Sequence, residues 1–174
     1  MTQTRSNIVL IGMPGAGKST VGIILAKQAS LQFVDTDVLI QTGRSRSLQD
    51  IVDTDGYEVL RRIEEETLLG LDVRNCVIAT GGSAVYSNRA MAHLASAGIV
   101  VYLDVAQQVL EARVHDYGTR GLAKRPDQNF TDLFRERSTL YARYAEITIR
   151  NDNLTHEEVC AEIMARSRGL LTKV

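Results

Sequence analysis

The sequence has no long apolar run, no excess of either charge, little proline and only two cysteines, and each shortage removes a class of explanation. No segment approaches the roughly 18 apolar residues that a membrane-spanning helix needs, and the opening MTQTRSN has no apolar core of a secretion signal. The chain sets 20 Lys+Arg against 21 Asp+Glu for a net charge of −1. That balance argues against a nucleic acid or an anionic membrane as partner, so any basic site must be local. Cys76 and Cys160 lack metal-ligand spacing and fall in an apolar strand and a helical pattern. They read as buried free thiols, which fits a reducing cytosol. With two prolines in 174 residues, 44% hydrophobic and 24% charged, the composition is globular and not disordered. The expectation is a cytoplasmic monomer, a single domain over 1–174 with room for a full core.

What is present is an alternation of short apolar strands and amphipathic helices. Strands are expected at 7–12, 32–37, 76–80, 98–105 and 146–150. Helices are expected at 18–29, 88–97, 107–115, 130–144 and 155–169, and over 47–71 in two pieces broken near 53–56. A polar loop fills 116–129. Continuous β-branched runs such as NIVLIG suit strands buried on both faces, and their alternation with helices implies an α/β sandwich with a parallel sheet. Such sheets bind ligands at the carboxyl ends of their strands, and the polar clusters of this sequence fall there.

The first cluster, GMPGAGKS over 12–19, follows a strand and opens a helix. It is a phosphate loop in its proper setting. Gly12, Gly15 and Gly17 let the backbone, with Ala16, bend its amides around an anion, and the helix start from Lys18 through Thr20 adds its dipole. Lys18 would reach the β- and γ-phosphates and Ser19 would ligate Mg²⁺, so ATP or GTP with Mg²⁺ is the implied ligand. In VDTDVLI, Asp35 and Asp37 stand two apart at a strand end and can face one side of the cleft. One can enter the metal shell and the other can take a proton from an attacking hydroxyl; the alternative is an N-cap beside a solvated acid.

LRRIEEE over 60–66 places Arg61 to pair with Glu64 or Glu65, and Arg62 with Glu65 or Glu66, as a solvated charged face. Alternatively one arginine turns inward to fork onto a substrate carboxylate, with Glu64 holding it. Gly81 and Gly82 end a strand and allow close approach to a ligand, or form a plain turn. The 116–129 loop and its flanks carry Arg113, Arg120, Lys124, Arg125, Arg135 and Arg137, a basic segment that reads as a lid or as a solvated loop.

Taken together, GMPGAGKST, FVDTD, DGYEVLRRIEEETL, VIATGGSAV, VVYLDV and RERSTLYARYAEITI resemble the shikimate kinase family over nearly the whole chain. The resemblance implies a P-loop NTPase sandwich of three layers, nucleoside monophosphate kinase-like, with five parallel strands in the order 2-3-1-4-5. It implies a substrate-binding helical region over about 36–71 and a lid over about 114–128. The activity it implies is transfer of the γ-phosphate of ATP to the 3-hydroxyl of shikimate. By the same resemblance Lys18 and Ser19 serve phosphate and magnesium, Asp35 lies near the metal, and Asp37 binds the substrate hydroxyls and is the candidate base. Arg61 and Arg137 clamp the carboxylate, Gly81 and Gly82 form the turn beside the substrate, Arg120 contacts the transferring phosphate, Arg113 packs on adenine, and the loop around Asn151–Asn153 wraps it. A second reading takes Ser83 and the TRGLAKRP lid as specificity changes for another small hydroxy-acid or polyol. A third, a module that only binds nucleotide, would have no use for Asp37 or Arg61.

Overall fold

A computed structural model describes residues 5–113 and 121–171. Five strands form one parallel sheet: β1 (Asn7–Ile11), β2 (Gln32–Asp35), β3 (Cys76–Ala79), β4 (Gly98–Asp104) and β5 (Ile147–Arg150), in the order β2-β3-β1-β4-β5. This is the anticipated order. The central strand β1 reads NIVLI and is buried at all five positions, because it has neighbours on both sides and helices over the sheet.

Helix α1 (Lys18–Ala29) packs against β2, β3 and α8 (His156–Ser167), which in turn lies on β5. Helices α5 (Asn88–Ala97) and α7 (Phe130–Tyr144) lie on β4. Helix α8 starts where Thr155 and Glu158 cap each other reciprocally, satisfying two amides that the first turn would otherwise leave bare. Helix α6 (Gln107–Arg113) follows β4; the expected extension to His115 lies outside the described residues. Among the described residues no helix is long and apolar enough to cross a membrane.

One helix is absent from the strand-and-helix pattern read from the residues, though the resemblance implied a helical region from about 36. The strand expected over 32–37 stops at Asp35, and Thr36–Arg44 is helix α2. The reason is local: the Asp35 carboxylate accepts from the amides of Asp37 and Val38 and so starts a helix where the strand was expected to run on. The expected break in the next stretch is present, since α3 (Leu48–Asp55) and α4 (Tyr57–Leu69) meet at Gly56, whose φ of 92° favours glycine. A small second core ties these three helices together. Ile40, Ile51, Leu60 and Ile63 bury one another along with Ala123, which falls within the polar stretch 116–129. Helices α2 to α4 and the residue Ala123 are thereby packed as one unit, apart from the main core around the sheet.

Cys76 and Cys160 are free and fully buried, and burial pushes both thiols up to about 11. Neither is a thiolate near neutral pH, so the native protein is expected to resist a disulfide thiol reagent that modifies both once denatured. Fast native modification would contradict this placement.

Candidate active site

One cavity of about 1010 Å³ runs along the carboxyl end of the sheet, room for a nucleotide and a small second substrate together. The phosphate loop lies at its centre. Gly17 has a φ of 93° and precedes α1 with no side-chain cap, and no acid stands in the first turn of the helix. Its free amides and dipole therefore face an anion without competition. The Lys18 ammonium is buried and donates to the carbonyls of Gly12 at 2.7 Å and Met13 at 2.9 Å. Burial pushes Lys18 down to about 8 against the opposing pull of Asp37, so it stays largely cationic at neutral pH. A desolvated cation in a ring of amides fits a polyphosphate.

Beside it the Ser19 hydroxyl donates to Asp35 Oδ2 at 2.6 Å. Two hard oxygens this close suit Mg²⁺, which is otherwise held by phosphates and water. Among the described residues no three His, Cys, Asp or Glu cluster to hold an ion, and a magnesium site of this kind does not require one. Asp35 thus turns out to be both an N-cap and a candidate metal acid, two roles that the sequence reading set against each other.

At the nucleotide end, Thr20 and Arg113 border the site; Thr20 is exposed, and Arg113 reaches the Asn151 carbonyl at 3.4 Å. The Asn151 side chain donates to the carbonyl of the buried Ala16 at 3.1 Å, tying the loop after β5 to the phosphate loop. Arg120 lies outside the described residues. His156 and its neighbours Leu154, Thr155 and Glu157 also line this end, and the sequence reading missed them. Their only signal was position, at the start of a helix following the last strand.

The acceptor end brings together Asp37, Glu64, Gly81, Gly82, Ser83 and Arg137. Asp37 sits in the first turn of α2, and burial pushes its carboxyl up, against the pull of Lys18. Gly81 and Gly82 are held by their backbone: the Gly81 amide donates to Thr36 Oγ1 at 3.1 Å and the Gly82 carbonyl accepts from Tyr141 at 2.6 Å. Close approach explains both glycines. A Cβ at Gly81 would collide with Glu64 Oε1 and stand 2.7 Å from Asp37 Oδ1; one at Gly82 would stand 2.7 Å from Arg137 Nη1.

Arg137 is 1% exposed and Arg61 half-buried, and both donate to one acceptor, the Ala123 carbonyl: Arg137 Nη2 at 3.0 Å, Arg61 Nη2 at 2.9 Å and Nε at 3.2 Å. The Tyr86 ring flanks both guanidinium groups, 3.7 Å from that of Arg61 and 5.5 Å from that of Arg137. Tyr86 was not singled out in the sequence, where it is one apolar residue after a glycine turn.

The ion pairs expected along α4 give way to others, Glu66 with Arg44 and Glu65 with Arg89. Glu64 does not hold Arg61. It is 4% exposed and accepts from the Ser83 hydroxyl, while Arg61 is drawn to Tyr86 and Ala123.

Comparison with known proteins gives the family and the fold. A shikimate kinase family model matches residues 14–168. A shikimate kinase of Rippkaea orientalis is 38% identical over 163 residues, covering 91% of this chain and 86% of that protein. One of Vibrio cholerae is 34% identical, covering 92% and 94%. The chain belongs to the shikimate kinase family.

Solved shikimate kinases share its fold. That of Acinetobacter baumannii, in complex with shikimate, has a TM-score of 0.86 at 30% identity and covers 97% of each chain. That of Aquifex aeolicus has a TM-score of 0.82 at 33% identity, covering 94% of this chain and 97% of that one. The chain is accordingly a kinase of a family that uses ATP.

For this kinase the buried Glu64 carries a stability cost. Burial, with the Asp37 charge nearby, pushes Glu64 up to about 7. The folded state thus holds a proton that the unfolded chain releases near 4.5. Between those values the native protein binds more protons, so stability falls as pH rises from about 4.5 to 7 and stays lower above, by roughly 3 kcal/mol. Glu64→Gln should flatten this trend and raise the melting temperature more at pH 8 than at pH 5. An equal shift at both pH values would show that Glu64 is not the group responsible.

Proposed function

We propose that this kinase moves the γ-phosphate of ATP to the 3-hydroxyl of shikimate, acting as a cytoplasmic monomer on small molecules without nucleic acid or membrane. The observation that carries the reading is the convergence of Arg61 and Arg137 on a single oxygen. Two guanidinium groups aimed at one acceptor make a receptor for a carboxylate: Arg137 and Ala123 line the same cavity as Asp37 and Glu64, which suit the hydroxyls of that acid, while Arg61 reaches the Ala123 carbonyl from the neighbouring hollow. The Ala123 carbonyl is a neutral stand-in, which an arriving carboxylate displaces in exchange for stronger charge-assisted bonds.

In this reading the nucleotide phosphates lie over the amides of Gly15 and Gly17, with Ala16 and Thr20 completing the turn and Gly12 giving its base. Lys18 bonds the phosphate oxygens, and Arg113 and Asn151 flank the base. Ser19 and Asp35 hold Mg²⁺, which when bound neutralises phosphate charge. Helices α2 to α4 form the acceptor wall, Gly81 and Gly82 let the acid approach the backbone, and Arg120, which lies outside the described residues, is the residue expected to contact the transferring phosphate. The acceptor oxygen attacks the γ-phosphorus, the bond from that phosphorus to the ADP oxygen breaks, and the hydroxyl proton passes to Asp37. A carboxyl held above its ordinary range is a better proton acceptor than a surface aspartate.

Arg61→Lys keeps the charge and loses the fork. Its KM for shikimate should rise roughly tenfold with turnover little changed, since the clamp binds ground and transition states alike. Initial-rate kinetics with saturating ATP measure it. An unchanged KM would return Arg61 to a structural role against Tyr86.

A further inference from the structure

The turn after β3 places a hydroxyl, that of Ser83, against a carboxylate that has no other hydrogen-bond donor among the described residues. Ser83 is 7% exposed and donates to Glu64 Oε2. Glu64 Oε1 is buried and unpartnered. It stands with Asp37 Oδ1 over Gly81, where an added Cβ would meet both oxygens. Glu64 and Ser83 line both the main cavity and a second hollow of about 510 Å³ that Arg61 and Tyr86 also line. An unsatisfied oxygen in such a place costs stability unless something donates to it, and an incoming hydroxyl is the donor that the cavity admits.

The geometry points to Ser83 as a positioning residue for the acceptor: its hydroxyl ties down one oxygen of Glu64 and so keeps the other turned toward Asp37, as a second acceptor for substrate hydroxyls. The inference rests on the reading of this end of the cavity as the acceptor site. Ser83 acts through Glu64 and touches no reacting atom. The groups facing Glu64 come from four elements besides its own: Asp37 on α2, Lys18 at the start of α1, Arg137 and Tyr141 on α7, and Ser83 on the turn after β3. Burial and Asp37 disfavour its charge, whereas Ser83, Arg137 and Lys18 favour it. Removing the Ser83 hydroxyl therefore takes away the leading favourable contact and leaves both carboxylate oxygens bare.

Three variants separate this role from simple packing: Ser83→Ala, Ser83→Thr and Ser83→Ala combined with Glu64→Gln. The readout is kcat/KM for shikimate between pH 5.5 and 9. For Ser83→Ala the acid limb should move about one pH unit higher, giving roughly tenfold lower activity at pH 6.5 and near-normal activity at pH 9. Ser83→Thr, which keeps the hydroxyl, should restore the original limb. In the Glu64→Gln background Ser83→Ala should shift nothing. A uniform loss across the pH range, an unmoved limb, or the same shift in both backgrounds would overturn the role. If the parent enzyme turns over no shikimate, the functional reading fails first. The Ser83 inference then stands or falls on the ¹³C NMR titration of the Glu64 carboxyl, which should end higher in Ser83→Ala than in the parent and would overturn the inference if it did not.

Discussion

Asp37→Asn should bind ATP as the parent does and lose turnover on shikimate by roughly 10²–10⁴. The amide is the same size, still faces Gly81, and cannot take the proton. Two features make the loss large. Asp37 is the first-turn acid of α2, held there by the Asp35 cap, so its position is fixed before substrate arrives. Burial also raises its affinity for a proton, while Lys18 keeps it ionised enough to act. Asp35 is already engaged with Ser19 and with two backbone amides, and cannot take over. Rapid-quench turnover with separately measured ATP affinity gives the result. A variant that loses only ATP binding would transfer Asp37 to the metal site, and one with near-normal turnover would leave the base without a residue.

Lys18→Met should lower kcat/KM for ATP by roughly 10²–10³, the usual consequence of removing one preorganised donor from a transition-state charge. The same substitution should make the unliganded protein more stable. Lys18 is held at about 8 against an ordinary 10.5 because burial strips its water. A base whose folded value is depressed destabilises the fold at neutral pH by an amount of roughly 3 kcal/mol, and recovers it as pH rises from 8 toward 10.5. Methionine fills the space without the charge. Higher melting temperature with lost catalysis is the pairing expected of a strained functional group. A fall in both would mean that the bonds to Gly12 and Met13 support the loop more than the desolvation costs it.

The sheet was legible because its strands are short, β-branched and apolar, a pattern that few alternatives produce. The phosphate loop was legible because its glycine spacing is tied to a specific backbone path. Helix α2 was hidden by one residue: Asp35 ends a strand and caps a helix at once, and only the second function turns the chain. The α4 cluster was half legible. Its Arg61 does turn inward, to the Ala123 carbonyl and the smaller hollow beside the main cavity, but the partner of Glu64 is Ser83, 19 residues away, and sequence spacing within a helix cannot show a contact made across to another element. Tyr86 and Ala123 were invisible for the same reason, since an aromatic ring under two arginines and a carbonyl between them are products of packing. Arg120 stays an expectation, outside the described residues.

The most direct measurement is a product analysis. The protein would be incubated with Mg²⁺-ATP and, in parallel, shikimate, quinate, gluconate and a nucleoside monophosphate, with ADP release followed and the phosphorylated product located by ³¹P and ¹H NMR. Saturable turnover on shikimate, with phosphorus coupled to the proton on carbon 3, is the predicted result. Turnover on another acid with shikimate inert would contradict it, and would make Ser83 and the TRGLAKRP segment the candidate determinants of a different acceptor.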